Sequence, residues 1–360
     1  MIRVYIEGNN KMKEKIRNNK KSIIIFLMIV IFLLCFIPNK TNNAKHQLNI
    51  MGPYGDLQSY HPKVINFDKP WNGYKYWMSY TSYPKGDDSK ENPCIAVSND
   101  LINWKEPGEN INPLDVPEQT VKAKIYNSDA HLVYNSDLDQ LECYWRFTKN
   151  NSSYLYRRTT KDGKTWKEKE LVVEAKEKDT EDYISPAILY ENGIYKMWYV
   201  PKSGHITYCE SENGLKWKNK KEIKLEYDTK LETWHLDVIK TNKGYEMLVV
   251  AFSARKYRND MSLYYSSSTD GFTWNKAETV LEPNIKSYNG WDNKGIYRST
   301  FMYENGIYYV FYGGTDRNYN HGIGLVIGKD IHSLQENPID YNKPDAIVKF
   351  REMIEKEKNR

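Results

Sequence analysis

From Tyr54 to Leu334 the chain alternates aromatic and β-branched runs of four to eight residues with short turn signals. Such a pattern predicts many short strands and excludes a helical bundle. A polar-opening run such as Tyr60-His61-Pro62-Lys63-Val64-Ile65 is followed by an aromatic run across a turn, as in Asn72-Gly73-Tyr74-Lys75-Tyr76-Trp77. The same turn returns at Glu191-Asn192-Gly193-Ile194-Tyr195 and Glu304-Asn305-Gly306-Ile307-Tyr308. A helical period appears only at the end. Between Pro344 and Arg360, Ile347, Phe350, Met353 and Ile354 share one face, which predicts a short amphipathic helix packed on the outside.

A heptapeptide repeats through the strand-rich region. Ser268-Thr269-Asp270-Gly271-Phe272-Thr273-Trp274 has near copies ending at Trp104, Trp166 and Trp217, and a worn copy ending at Leu334. The closing residues are 62, 51, 57 and 60 positions apart. That spacing is the mark of repeated four-stranded units. An Asp or Asn followed by Gly supplies the positive-φ position of a tight turn, and the Trp then opens the next strand and fills a seam between sheets. The heptapeptides resemble the Asp-boxes of sialidase-like propellers. The predicted fold is therefore all-β: a five-bladed β-propeller over residues 54–342, with a C-terminal helix over 343–360.

Charge changes the picture only at the front. Residues 1–40 carry eight Lys or Arg against Glu7 and Glu14, leaving residues 41–360 with 44 basic and 45 acidic side chains. The basicity belongs to the leader, so a nucleic-acid-binding body is not expected. Ile23 to Ile37 is an unbroken apolar run of 15 residues behind Lys20-Lys21. With its flanks it predicts a basic cytoplasmic tail (1–21), a transmembrane signal anchor (22–38) and a linker (39–53), the rest lying outside the cell at the membrane surface. Cys94, Cys143 and Cys209 are odd in number and sit in strand-like contexts, which favours buried thiols over a disulfide framework.

In a propeller the first strand of every blade lines the axis, so polar residues at strand openings gather at one mouth. Blade one offers His61 and the Glu91-Asn92-Pro93 loop; blade two, Asp129 and Arg146; blade three, His205. Blade four offers Trp234, His235, Asp237 and Arg255; blade five, Tyr297, Arg298, Arg317 and His321. Charge or imidazole from all five repeats predicts a ligand site there.

With five blades and an Asp in Ser128-Asp129-Ala130-His131, residues 54–334 resemble glycoside hydrolase family 43. The resemblance implies a base on blade one, a second Asp on blade two and a Glu on blade three. Only Asp129 matches; the other two positions read His61-Pro62 and Ser185-Pro186. Glycosidic cleavage needs two carboxyls, and Asp129 and Asp237 are expected to face each other across the axis, with Glu91 as the substitute. His61 and His235 would set their protonation, and Arg255, Arg298 and Arg317 would bind an acidic sugar or phosphate. A sialidase-like cluster of Arg146, Arg298 and Arg317 is a weaker resemblance, since those enzymes use six blades. No zinc-type ligand spacing occurs, so no cofactor is expected, although the resemblance allows a structural calcium ion at His321 and Asp129. The expected function is a membrane-anchored glycosidase acting on a surface or secreted polysaccharide. The alternative is a propeller that binds such a glycan without cleaving it.

Overall fold

The computed structural model describes residues 42–120, 124–176, 179, 181–255 and 260–360. The anchor read in residues 22–38 lies outside them, and no helix among the described residues is long and apolar enough to cross a membrane. Five antiparallel sheets follow one another along the chain. Blade one contains β1 (Ser59–Trp71), β2 (Tyr74–Ser82) and β3 (Asn92–Ser98). Blade two contains β4 (Ile125–Asn135), β5 (Gln140–Lys149), β6 (Ser152–Thr160) and β7 (Glu170–Ala175). Blade three runs from β8 (Ile184–Glu191) through β9 (Ile194–Val200) and β10 (Ile206–Ser211) to β11 (Lys218–Ile223). Blade four runs from β12 (Glu232–Thr241) through β13 (Gly244–Phe252) and β14 (Ser262–Ser268) to β15 (Glu278–Leu281). Blade five has β16 (Gly295–Glu304), β17 (Ile307–Thr315) and β18 (His321–Gly328). Contacts of β1 with β4, β4 with β8, β8 with β12, β12 with β16 and β16 with β1 close a ring. The molecule is a five-bladed propeller.

The core is divided among the seams. One apolar cluster fills each junction, from Trp77, Leu132 and Cys143 between blades one and two to Tyr76, Ile307 and Phe311 between blades five and one. Each seam also carries a carboxylate that accepts from an aromatic donor of the neighbouring blade. Glu304 accepts from Tyr76 (2.9 Å), Asp139 from Trp71 (2.7 Å), Glu142 from Tyr195 (2.7 Å), Glu191 from Tyr245 (2.6 Å) and Glu246 from Tyr308 (2.7 Å). Apolar burial drives the seams together, and these bonds fix which strand meets which.

The recurrent turns fold as their residues dictate. Asp270 Oδ1 accepts from the amides of Phe272 and Thr273, both at 2.7 Å, and Asp162 Oδ1 does the same for Lys164 and Thr165. Trp274 Nε1 then donates back to the Gly271 carbonyl.

Two expectations are corrected here. Blades one and five are three-stranded, with single bridges Val97–Lys105 and Ile327–Gln335 where a fourth strand was expected. Pro107 and Pro338 follow those bridges, and a proline cannot continue a ladder. The stretch read as a linker, residues 39–53, also packs on the propeller from residue 42 onward. Leu48 N donates to Ile323 O of β18, Ala44 bridges Asn337, and Leu48 and Ile50 are buried. The C-terminal helix, α1 (Ala346–Lys358), inserts Ala346 and Phe350 into the seam between blades five and one.

Candidate functional site

Every innermost strand breaks register at the same level. The shifts fall between Tyr60 and Lys63, Ser128 and His131, Ile184 and Ala187, Thr233 and His235, and Tyr297 and Ser299. Bulges of this kind re-aim side chains. In blades one to three the bulge places a non-glycine residue in the left-handed region: His61 at φ 50°, Asp129 at φ 55° and Ser185 at φ 53°.

Around the axis this brings His61, Asp129 and His235 together. One donor atom from each lies within 4.8 Å of the other two. His235 Nδ1 is 3.2 Å from Asp129 Oδ1, and all three side chains are at least 95% buried. His61 Nδ1 is 3.0 Å from both Thr81 Oγ1 and Glu91 Oε1. The buried atoms His61 Nε2, Asp129 Oδ1 and both ring nitrogens of His235 find no hydrogen bond in the protein. Buried polar atoms are rarely left so, and several in one place mark a site built for something else to bind. Two imidazoles and a carboxylate suit a divalent first-row ion, and Glu91 beside the Nδ1 of His61 is the outer-shell partner that such a histidine commonly has.

The electrostatics keep the donors in the form that a cation needs. Burial lowers His61 to about 4 and His235 to about 3, so both rings are neutral near pH 7. Burial would raise Asp129, but His235, His61 and Arg298 together hold its carboxyl well below the usual range. Glu91 goes the other way: burial and the Asp129 charge raise it well above an ordinary glutamate. Tyr297 covers the group, stacking on His61 at 5.1 Å and lying 4.3 Å from the His235 ring, and Trp234 donates to its hydroxyl.

The remaining expected residues divide sharply. Asp237, expected to form a reacting pair with Asp129, is engaged in a buried ion pair. It accepts from Lys63 Nζ at 2.8 and 2.9 Å and from Thr300 Oγ1 at 2.7 Å, entirely buried. Arg298 is also buried and donates to the carbonyls of Ala130 and Pro186 and to His131 Nδ1, with Asp129 3.9 Å away. Arg146 forms a two-pronged ion pair with Asp182 at 2.7 and 2.8 Å. Arg317 is exposed and donates to Ile285 O; His205 is exposed beside Glu222 at 3.7 Å, and Arg255 is exposed beyond the end of β13. Arg146, Arg298 and Arg317 therefore do not form an anion-binding trio. His321 places Nδ1 2.9 Å from Tyr83 O and packs on Tyr60 and Tyr83, which makes it a wall residue rather than a partner of Asp129. The sequence reading missed Lys63, Thr81 and Tyr83.

No family model matches the chain. A curated A type blood N-acetyl-α-D-galactosamine deacetylase from Flavonifractor plautii is 25% identical over 354 residues, covering 81% of this chain. The chain spans 45% of the length of that relative. The crystal structure of an N-acetylgalactosamine deacetylase from F. plautii in complex with blood group B trisaccharide superposes with a TM-score of 0.69 at 22% identity. It covers 79% of this chain and 94% of that one. A thermostable family-43 glycoside hydrolase superposes with a TM-score of 0.56 at 13% identity, covering 81% of this chain and 95% of that one. The chain is thus a five-bladed β-propeller similar in fold to family 43 glycoside hydrolases and to an N-acetylgalactosamine deacetylase.

Proposed function

We propose that this chain is a carbohydrate-active hydrolase that removes the acyl group from an N-acylated sugar, with His61, Asp129 and His235 holding a divalent metal ion. The observation that carries the reading is the convergence of these three buried donors with their unsatisfied atoms. A divalent ion held by His61, Asp129 and His235 would supply Lewis acidity toward the acyl oxygen and a more acidic water. The other work falls to the protein. Glu91, kept readily protonated by burial beside Asp129, is the group that moves a proton between water and the leaving amine. Tyr297 and Trp234 bound the space above the histidines and orient the sugar. Thr81 bonds the Nδ1 of His61 and Glu91 lies beside it, which leaves Nε2 of the ring for the ion. The similarity to a deacetylase of blood-group glycans supports an acetamido sugar as substrate.

A second reading has one observation in its favour. Glu91 and Asp129 are buried carboxyls whose surroundings push their pKa values in opposite directions, which is the arrangement of an acid and a base in glycosidic cleavage. The products separate the two. Incubation with acetamido-sugar oligosaccharides should release acetate and free amine without new reducing ends. Dialysis against EDTA should abolish this, and added Zn²⁺, Mn²⁺ or Co²⁺ should restore it. New reducing ends that survive EDTA would establish the glycosidase and refute the deacylase. The anchor read in the leader would place either activity at the outer cell surface.

A further inference from the structure

Beneath the donor cluster lies a buried ion pair that touches no candidate substrate atom. Lys63 stands two residues after His61 on β1, and Asp237 two residues after His235 on β12. Their contact, 2.8 and 2.9 Å, joins blade one to blade four, which are not neighbours in the ring. Thr300 of the intervening blade five donates to the same carboxylate at 2.7 Å. Lys63 is 3% exposed and Asp237 1%, so both charges are fully desolvated. A desolvated pair is seldom a source of net stability and is more often replaceable by apolar side chains of similar volume. Its geometry is a better guide to its role. A bidentate contact between a lysine and a carboxylate fixes the separation of the two strands at the point from which both histidines project.

We infer that Lys63 and Asp237 are positioning residues that hold His61 and His235 at the separation a divalent cation requires. This rests on the metal-site reading. The donor atoms lie up to 4.8 Å apart, wider than the span of neighbouring ligands around one small ion. The strands must therefore be held close enough for small side-chain rotations to complete the site. Arg298 makes the corresponding tie from blade five to blades two and three through Ala130 O, His131 and Pro186 O. Two cross-axis ties thus join all five inner strands directly below the donors, and Lys63–Asp237 is the one connecting the two histidine strands.

The test is zinc affinity, measured on the full chain by competition with a chromophoric chelator, alongside thermal unfolding. The double variant Lys63→Met/Asp237→Leu replaces both charges by apolar side chains. It should unfold cooperatively near the wild-type temperature yet bind zinc about 10- to 100-fold more weakly, the usual effect of losing an outer-shell support. Lys63→Arg keeps the pair and should retain wild-type affinity. A folded double variant with wild-type affinity overturns the inference. Should the double variant fail to fold, Lys63→Met alone, which breaks the tie between the two strands while leaving Asp237 its bond from Thr300, takes its place. An affinity unchanged in that variant overturns the inference equally. Wild-type protein that binds no zinc refutes the metal site itself. Zinc binding lost in His235→Ala but intact in the double variant refutes only the positioning role.

Discussion

His61, Asp129 and Ser185 occupy left-handed backbone that costs a non-glycine residue about 1–3 kcal/mol each. Two of them also precede a proline, which itself disfavours the helical regions. Such strain persists where the surrounding structure over-determines it, and here it falls at the register breaks that face the axis. The same location gives Glu91 its character. Its carboxyl is buried, 3.0 Å from His61 Nδ1 and close enough to Asp129 to be raised by that charge. Glu91→Gln keeps the shape beside His61 but cannot exchange a proton. Turnover on an acetamido sugar should fall about 10²- to 10⁴-fold, while bound metal, measured by mass spectrometry, stays at the wild-type level. Loss of metal together with activity would show that Glu91 is a ligand or an essential support instead.

At the scale of the strand and turn, the repeated heptapeptide was the most legible feature because its chemistry is local. An Asx side chain accepts two amides beyond it, a left-handed residue follows, and a Trp closes the turn, all within seven residues. The chemistry of the axis was not legible in the same way. His61, Asp129 and His235 are 68 and 106 positions apart, so no ligand-spacing rule could join them before the ring closes. That each belonged at the mouth could still be read from polar residues opening otherwise apolar runs. The partner of Asp237 could not, since Lys63 in a His-Pro-Lys run has the look of a solvated side chain until blades one and four meet. The turn glycines carry a testable consequence. Gly163 has φ 73°, and a Cβ there would sit 2.0 Å from Trp77 of the neighbouring blade. Gly163→Ala should destabilise the fold by about 2–5 kcal/mol through backbone strain and overpacking, read as a lower urea midpoint. Gly193 has a similar φ of 80° but nothing within 4 Å, so Gly193→Ala should lose only the backbone part. Equal midpoints for the two variants would show that the seam contact with Trp77 does not matter.

For the molecule as a whole, the critical junction is where the ring closes, because His61, Asp129 and His235 come from blades one, two and four while blade five must bridge back to blade one. The chain entering from residue 42 is tied first to blade five and its seam with blade four, and then reaches the junction of blades five and one. Asn43 Nδ2 donates to Asp292 Oδ2 at 2.6 Å and to Glu282 O at 2.9 Å, and Ala44 N donates to the Tyr312 hydroxyl at 2.9 Å. Leu48 and Ile50 then enter the apolar cluster between blades five and one, at 1% and 2% exposure. Removing a buried Leu or Ile side chain costs about 2–5 kcal/mol, and total stabilities of single domains are about 5–15 kcal/mol. A chain beginning at residue 42 keeps all of these contacts and should unfold cooperatively in urea. A chain beginning at residue 52 should be largely unfolded or greatly destabilised. Because the donor cluster exists only when the ring is closed, zinc affinity should fall with the folded fraction in the shorter chain and return if the peptide 42–51 is added back. If the chain beginning at residue 52 folds and binds zinc like the longer one, closure rests on β1 and β16 alone, and the segment before them is dispensable to the site.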